Sequence, residues 1–399
     1  MRIESIETFV LKVPLGEERF FSSQCAFPAR NSLLVRIQTD TGITGWGEGG
    51  QYGPPEPVAA CINTVLAPLI LGRNPKKPRR IWEELYAATR DFGQKGTYIE
   101  AISAIDIALW DILGQAMGEP LHCLLGGAFR DSIHAYATGC YYRGEEYLNN
   151  AASLPLLVEE ARSYVSTGFD ALKIKVGLLS VEDDLQRAAA IREAIGPDIK
   201  LMVDANHAYN KFTALRMGRG LEELGAIWFE EPVPPEDHEG YRQVREALDV
   251  AIAGGECEFA RYGFKAFLAA GCVDIAQPDL CAAGGFSEWQ NIQALASASG
   301  IWVIPHVWGS GVALAAALHV LATIPPFPHT ANPIPLQNEP VVEFDRNPNP
   351  LRDDLLVNPI LLTDGRVPIP QGAGLGIKID EAILMEHCQS RERSTVNSL

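Results

Sequence analysis

Two lysines stand two residues apart in an otherwise apolar run that extends from Ala171 to Gly177. Side chains alternate between the two faces of a strand, so Lys173 and Lys175 point to the same face. Two ammonium groups on one face of a buried strand are unfavourable unless anionic groups lie beside them. For this segment alone, an edge strand with solvent-exposed lysines is the simpler interpretation. The residues downstream decide between the two.

Ionisable residues recur downstream of these lysines at a nearly constant spacing. From Lys175 the steps are 29, 26, 26, 23 and 27 residues, and they end at Asp204, Glu230, Glu256, Asp279 and His306. Each step is close to the length of one βα unit, so these residues would lie at the same height on successive strands. Taken singly, they are typical of a helix N-cap, a solvated loop or a core histidine. Their common period instead favours an active site at the carboxyl edge of a barrel.

Three of these residues could bind a metal ion. Asp204, Glu230 and Glu256 offer carboxylates, with no cysteine ligand and no nearby histidine pair in the pattern. This donor set favours Mg2+ with open positions for water and substrate, and it disfavours structural zinc. A divalent ion there can hold a substrate carboxylate and stabilise the enediolate that forms when a proton leaves the adjacent carbon.

The remaining residues that recur at this spacing suit acid–base chemistry. Lys175 on one side and His306 on the other would be the proton acceptor and donor. Asp279 lies one unit before His306, so it can fix the tautomer of the imidazole and raise its basicity.

The elements that must position these residues divide the chain into three parts. Residues 1–130 show strands followed by helices, which predicts an α+β domain with loops around residues 16–30 and 49–55. Residues 131–340 alternate short strands with helices, which predicts a βα barrel; an open doubly wound sheet is the alternative. Residues 341–399 leave this alternation and are expected to return to the N-terminal domain.

Composition excludes several classes of partner. The net charge of -17 argues against nucleic acid and anionic membranes, because both attract basic surfaces. The eight cysteines contain no Cys-x-x-Cys pair, and no apolar segment follows a basic N-terminus. These features predict a cytoplasmic protein with reduced thiols. The negative net charge does not argue against a small-molecule carboxylate as the substrate, because a metal or local cations can reverse the sign inside a pocket.

Several short motifs carry a family resemblance. They are Lys173-Ile-Lys175, Asp204-Ala-Asn206, Trp228-Phe-Glu-Glu-Pro232, Gly254-Gly-Glu256, Gln277-Pro-Asp279, Pro305-His306 and the N-terminal Gly45-Trp-Gly-Glu48. Together they resemble the mandelate racemase subgroup of the enolase superfamily, over nearly the whole chain. The muconate-lactonizing subgroup is disfavoured, because its second catalytic lysine on the sixth strand has no counterpart between Val273 and Gln277.

The resemblance implies a (β/α)7β barrel, a modified TIM barrel, beneath an N-terminal α+β capping domain that the C-terminal segment completes. It also implies Mg2+, with Mn2+ as an alternative, on the three carboxylates named above. Lys175 and the His306–Asp279 pair would be opposed bases, and Lys173 would contact the substrate and lower the pKa of Lys175. A homo-oligomer, between a dimer and an octamer, is typical of the family.

The resemblance also implies roles for further residues. Glu343 would be a hydrogen-bonding acid at the end of the barrel, although Glu339 is close enough to compete for that role. The substrate-binding residues would be Phe20, Gln24 and Tyr52 on the loops of the capping domain, with Asn206 and Trp308 on the barrel.

The expected activity is abstraction of the proton α to a carboxylate in a hydroxy acid, a sugar acid or a sugar-acid lactone. A cycloisomerase is the favoured interpretation. An acid-sugar dehydratase and an α-hydroxy acid racemase are alternatives on the same residues. A non-catalytic binding barrel would lack a ligand or a base, and none is missing from the sequence.

Overall fold

The computed structural model describes residues 1–50, 52–144 and 146–396 of the chain. Its strands form two main sheets and one small sheet. In chain order the strands are β1 (Ile3–Pro14), β2 (Phe20–Phe21), β3 (Ala26–Phe27), β4 (Ala29–Thr39), β5 (Thr44–Gly49), β6 (Ser132–Thr138), β7 (Tyr142–Arg143), β8 (Ala171–Lys175), β9 (Lys200–Asp204), β10 (Ala226–Glu230), β11 (Ala251–Gly254), β12 (Ile275–Ala276), β13 (Trp302–Val303), β14 (Val341–Asp345), β15 (Arg366–Pro368) and β16 (Cys388–Thr395).

Helices connect the strands of both units. In chain order they are α1 (Glu56–Cys61), α2 (Ala67–Ile70), α3 (Pro78–Thr89), α4 (Thr97–Met117), α5 (Leu121–Leu124), α6 (Asn150–Ser166), α7 (Val181–Ile195), α8 (Lys211–Glu223), α9 (His238–Ala247), α10 (Ala260–Ala269), α11 (Leu280–Ala283), α12 (Gly285–Ala298), α13 (Gly311–Thr323), α14 (Pro350–Asp353) and α15 (Glu381–His387). The π-helical segment Ile62–Leu66 joins α1 to α2. Within the described ranges, no helix has the length and apolar character needed to cross a membrane.

The N-terminal unit is an antiparallel sheet packed on helix α4. Its strands lie in the order β16-β1-β4-β5, so the last strand of the chain completes the first sheet. Strand β5 lies directly on α4, because a Cβ atom at Gly45 or Gly47 would come within 2.2 or 1.9 Å of carbonyl oxygens of that helix. Glycine at alternate positions therefore sets the distance between sheet and helix. Helix α4 is buried on most sides, as its apolar sequence predicts.

The second unit is a barrel of parallel strands. Eight strands of the described chain lie in the order β14-β6-β8-β9-β10-β11-β12-β13, and helices follow the strands on the outside. The register places Lys175 of β8 beside Asp204 of β9, and Asp204 beside Glu230 of β10. The predicted fold, a βα barrel with an N-terminal α+β unit, is confirmed by this topology.

The barrel extends past residue 340, where the sequence pattern placed its end. Strand β14 pairs in parallel with β6 from Val341 to Asp345 and forms part of the barrel sheet. Strand β15 then pairs with the other end of β6 in antiparallel fashion. Only afterwards, at β16, does the chain return to the N-terminal sheet. Because β14 is followed by a Pro-rich turn instead of a barrel helix, the alternation of strands and helices gave no signal for it.

The segment over the barrel mouth forms short strands where the sequence predicts a loop. Strand β2 pairs with β3 and with β7, which follows the first barrel strand. Phe20 of β2 packs on Phe27 and Tyr141, with ring centres 4.9 and 4.7 Å apart. These aromatic contacts fix residues 20–27 against the barrel, although the segment has no hydrophobic period of its own.

Glu48, near the end of β5, connects the N-terminal sheet to the barrel. Its fully buried carboxylate accepts hydrogen bonds from Ser32 Oγ at 2.7 Å, from Ser310 N and Oγ at 2.8 and 2.6 Å, and from Ala313 N at 2.9 Å. The last two residues stand at the start of helix α13, where a carboxylate is also favoured by the helix dipole.

We expect Glu48→Ala to lower the free energy of unfolding by about 3 kcal/mol, because several buried donors lose their acceptor at once. Urea unfolding followed by circular dichroism measures this change. Glu4→Ala is the matched control, since Glu4 is exposed on β1 and should change stability by less than about 0.5 kcal/mol. Equal stability of the two variants would contradict the role given to Glu48.

Candidate active site

The carboxyl ends of the barrel strands bring together the ionisable residues of the sequence pattern. All of them are between 0 % and 8 % exposed, and they are Lys173, Lys175, Asp204, Glu230, Glu256, Asp279, His306 and Glu343. Strand β8 lies inside the sheet and every residue in it is buried, so the edge-strand interpretation of its two lysines is wrong.

Three carboxylates converge at the centre of this site. Asp204, Glu230 and Glu256 each place an oxygen within 4.8 Å of the other two. Asn206 N donates to Asp204 Oδ1 at 2.7 Å, and Gln277 Nε2 donates to Glu230 Oε2 at 2.9 Å. These hydrogen bonds orient the carboxylates while leaving other lone pairs free. A buried cluster of hard oxygen donors on this scale fits a divalent cation such as Mg2+.

Lys173 is held between two of the acids. Its Nζ lies 2.7 Å from Glu230 Oε1 and 2.8 Å from Glu343 Oε1. Burial alone would raise the pKa of Glu343, but Lys173, His306 and Thr138 together outweigh it and lower the pKa to about 2. Glu339, the alternative to Glu343, lies elsewhere and pairs with Arg130 at 3.2 Å and Arg366 at 3.3 Å. The geometry therefore brings Glu343 and not Glu339 to the site.

Lys175 forms a close ion pair with Asp204. Burial disfavours its ammonium form, but the combined effect of Asp204, Tyr141 and Glu256 outweighs burial, and the pKa of Lys175 rises above its ordinary value. Lys173 acts in the expected direction and lowers this pKa, but its effect is smaller than that of Asp204. The pKa of Lys175 nevertheless lies above its ordinary value, because Asp204 lies directly beside the ammonium group.

His306 contacts a different member of the carboxylate cluster from Lys175. Its Nε2 is 3.4 Å from Glu256 Oε2, and its Nδ1 is 2.8 Å from Asp279 Oδ2. Asp279 is itself oriented by Cys281 N, which donates to its Oδ1 at 2.7 Å. Burial lowers the pKa of His306, but Glu256 and Asp279 more than compensate and raise it to about 9.

Tyr52 reaches the same histidine from the N-terminal unit. Its hydroxyl lies 2.9 Å from His306 Nδ1 and 3.1 Å from Asp279 Oδ2. The residue is 38 % exposed, but the hydroxyl itself is buried against these two groups. Tyr52 therefore contacts the imidazole–carboxylate pair in addition to lining the pocket, where the sequence predicts only substrate binding.

A pocket of about 180 Å3 opens beside Lys175 and His306. Four of the predicted substrate-binding residues line it: Gln24, Tyr52, Asn206 and Trp308. Phe20, the fifth, is fully buried and does not belong to this lining; its place on the pocket wall is taken by Phe27, on which it stacks. Phe20 thus supports the wall from behind, because its side of β2 faces the aromatic cluster.

Several residues of the site lack a distinctive sequence signal. Thr138 Oγ1 donates to Glu343 Oε1 at 2.6 Å, and Tyr141 lines the pocket near Lys175. His207 and Cys257 also line the pocket. Each of the last two lies within three residues of a predicted metal ligand, which is the one signal that could have pointed to them.

Three residues at the same rim have a strained backbone. Asn206, His207 and Glu231 adopt left-handed conformations, with φ of 43°, 51° and 43°. For residues other than glycine this conformation costs about 1–2 kcal/mol each. Strain of this kind persists where the surrounding structure over-determines it, and functional sites are frequent examples.

Comparison with known protein families gives the site its context. A model described as "Mandelate racemase / muconate lactonizing enzyme, N-terminal domain" matches residues 6–126, and one described as "Enolase C-terminal domain-like" matches residues 156–383. The chain belongs to the mandelate racemase/muconate lactonizing enzyme family. The predicted membership of the enolase superfamily is thereby confirmed, and the chain is an enzyme of that superfamily.

Individual relatives of this enolase-superfamily enzyme are cycloisomerases and dehydratases. D-galactarolactone cycloisomerase of Agrobacterium fabrum, which the barrel motifs also resemble, is 45% identical over 97% of this chain and 98% of that protein. The crystal structure of 3,6-anhydro-D-galactonate cycloisomerase from Zobellia galactanivorans superposes with a TM-score of 0.86 at 39% identity, covering 98% of this chain and 100% of that one.

A third relative bears on the metal. A variant of L-talarate/galactarate dehydratase liganded with Mg and L-glucarate superposes with a TM-score of 0.85 at 28% identity, covering 99% of this chain and 93% of that one. Membership of the superfamily and the carboxylate cluster together imply a divalent metal for this chain.

We expect Tyr52→Phe to lower kcat about tenfold with little change in KM, because the His306–Asp279 pair loses one hydrogen bond while the pocket keeps its shape. Steady-state kinetics measure both constants. Tyr262→Phe is the control, since Tyr262 is 51 % exposed and stacks on Tyr86 of helix α3. A rise in KM at unchanged kcat would assign Tyr52 to substrate binding instead.

Proposed function

We propose that this enzyme removes the proton α to the carboxylate of a sugar-acid lactone or monoacid sugar in a Mg2+-dependent reaction, with Mn2+ as the alternative ion. Asp204, Glu230 and Glu256 would hold the ion. When bound, a divalent cation in this position binds the substrate carboxylate and stabilises the negative charge that develops on it as the α-proton leaves. The observation that carries the proposal is the placement of this cluster between Lys175 and His306.

Lys175 and His306 are proposed as the two proton-transferring groups. Lys175 contacts Asp204 at one side of the cluster, and His306 lies beside Glu256 at the other. A substrate held between them has one group on each face of its α-carbon, so one can take the proton and the other can donate one. The Nδ1–H of His306 is engaged by Asp279, which leaves Nε2 for the substrate.

Lys173, Asp279 and Glu343 are proposed to complete the site. Asp279 holds the imidazole of His306 in one orientation and one tautomer. Glu343 receives hydrogen bonds from Thr138 and from Val307 N, and it pairs with Lys173. This network keeps Lys173 charged at the edge of the cluster, where an ammonium group can donate to an oxygen of the substrate carboxylate.

The pocket favours a substrate with a single anionic end. Away from the acidic cluster its wall is aromatic, with Phe27, Tyr141 and Trp308. On that side the guanidinium of Arg30 lies 4.4 Å from the ring centre of Trp308 and pairs with Asp345 at 2.5 Å. Arg30 is thus engaged behind the wall, and no arginine of the described residues lines the pocket, so the second carboxylate of an open sugar diacid would meet no guanidinium there.

A lactone meets this requirement, because its second carboxyl group is esterified and neutral. Removal of the α-proton followed by cleavage of the β-carbon–oxygen bond of the ring moves the electron pair onto the ring oxygen, which leaves as a carboxylate. The enol then gains a proton on carbon and becomes a keto acid, so that the product is an isomer of the lactone. A monoacid-sugar dehydratase is the second candidate, since His306 can protonate a departing hydroxide, and reprotonation alone would give a racemase.

A substrate panel tests the choice. Sugar-acid monolactones, monoacid sugars and the matching open diacids are incubated with the enzyme and Mg2+, and keto-acid formation is measured for each. We expect turnover of lactones or monoacids to exceed that of the diacids by at least about a hundredfold, because an unpaired buried carboxylate opposes binding by several kcal/mol.

The mass of the product separates the two candidates. An unchanged mass identifies cycloisomerisation, and the loss of one water identifies dehydration. Preferential turnover of an open diacid would contradict the proposed substrate class, while absence of turnover with every lactone and acid of the panel would contradict the proposed function.

A further inference from the structure

A second cluster of possible metal ligands lies beside the carboxylate site. His207, Glu231 and Cys257 each place a ligand atom within 4.8 Å of the other two. None of these residues belongs to the cluster proposed for Mg2+. They follow its members in the chain by three, one and one residues, so the two clusters are built on the same three strand ends. The proposed function assigns no role to any of these three residues.

Glu231 is the independent sign that something is bound in this cluster. The residue is 1 % exposed, and its Oε2 has no hydrogen-bond partner. Its charged neighbours are the carboxylates of Glu256, Asp204 and Glu230 and the ammonium group of Lys175. A buried polar atom without a partner is unfavourable, and a cation bound to this oxygen would supply the missing partner.

The donor types identify the class of cation. A thiolate sulfur, an imidazole nitrogen and a carboxylate oxygen suit a borderline ion such as Zn2+, with a fourth position for water. Mg2+ prefers oxygen ligands and is poorly served by sulfur. We propose that His207, Glu231 and Cys257 form a second divalent-metal site that is selective for Zn2+-like ions over Mg2+.

The site has a route for the ion and a consequence for the enzyme. His207 and Cys257 line the substrate pocket, so an ion can reach them from solvent through the pocket mouth. The same position means that a bound ion occupies part of the pocket wall. Zn2+ at this site would therefore compete with substrate, independently of which ion fills the carboxylate cluster.

Cd2+ titration of the Mg2+-saturated protein tests the site directly, because a Cd2+–thiolate bond absorbs in the ultraviolet and an all-oxygen site cannot produce this band. We expect one band that saturates at one equivalent of Cd2+. Cys257→Ser should abolish it. Cys25→Ser is the matched control, since Cys25 is an exposed thiol that lines the same pocket, and this variant should keep the band.

Two further variants keep the test decisive if Cys257→Ser does not fold. His207→Gln and Glu231→Gln retain the thiol and should weaken Cd2+ binding by at least about tenfold. Zn2+ should displace Cd2+ from the wild-type site, whereas a large excess of Mg2+ should not. Absence of the band in wild type, its survival in Cys257→Ser, or wild-type affinity in both Gln variants would overturn the proposal. None of these readouts depends on turnover, so failure here is distinct from failure of the proposed function.

Discussion

The metal-dependent turnover of the Glu256→Gln variant is expected to be at least about a thousandfold slower than that of the wild type, while the fold is kept. Glu256 supplies one of only three carboxylates in the cluster, and the amide that replaces it carries no charge. The loss corresponds to several kcal/mol of stabilisation at the transition state. Calorimetric titration with Mg2+ should show a matching loss of affinity, and circular dichroism should show an unchanged spectrum.

Two controls separate the metal from other effects of this substitution. Glu236→Gln makes the same change at an exposed position on the loop after β10 and should leave both turnover and Mg2+ affinity unchanged. Chelation of divalent ions should reduce wild-type turnover to the level of Glu256→Gln, and it should not reduce the variant further. Wild-type affinity for Mg2+ in Glu256→Gln would contradict its assignment as a ligand.

Removal of each proposed proton-transferring group should have the next largest effect. Lys175→Met and His306→Asn are each expected to slow α-proton exchange by at least about a hundredfold. The two groups contact different members of the carboxylate cluster, Asp204 and Glu256, and are proposed to face opposite sides of a bound α-carbon. For two substrates that differ only in α-configuration, Lys175→Met should stop exchange of one epimer and His306→Asn that of the other. Proton NMR in deuterated water measures both rates.

Lys200→Met provides the matched control for the lysine substitution. Lys200 is exposed at the start of β9, at the opposite end of the neighbouring strand from the site. The Lys200→Met variant should exchange the α-proton of both epimers at the wild-type rate. If either catalytic-site variant slowed both epimers equally, the two-sided arrangement would be refuted, and a single base would have to serve both faces.

The repeated barrel architecture explains why the sequence predicts so much of the site. Each βα unit has a similar length, so residues at strand ends recur at a regular step that is visible without any structure. Asp204, Glu230 and Glu256 were placed in this way, and the sheet register brings them together. The end of the barrel was misplaced at residue 340, because β14 is not followed by a helix of the repeating kind.

Contacts between distant segments could not be predicted from this period. Tyr52 meets His306 across 254 residues and comes from a loop with no regular pattern. Phe20 was expected on the pocket wall, but the pairing of β2 with β3 turns it behind Phe27. Such placements depend on how the N-terminal unit packs over the barrel, which neither hydrophobic period nor motif spacing encodes.

Charge interactions across strands show the same limit. The family resemblance implies that Lys173 lowers the pKa of Lys175, and Lys173 does act in that direction. Across the sheet, Asp204 stands beside Lys175 and has the larger effect on its pKa. The sequence thus predicted which groups meet but not which pair would determine the protonation of the lysine.

Deuterium incorporation tests the central claim most directly, because it reports α-proton abstraction whatever the fate of the intermediate. Sugar-acid lactones and monoacids are incubated in deuterated water with the enzyme, with and without Mg2+, and the α-position is analysed by NMR and mass spectrometry. We predict deuterium at the α-carbon of recovered substrate or at the protonated carbon of product. It should be found only when Mg2+ is present, and not with Glu256→Gln. Turnover without any solvent deuterium, or exchange that persists after removal of all divalent ions, would contradict the account.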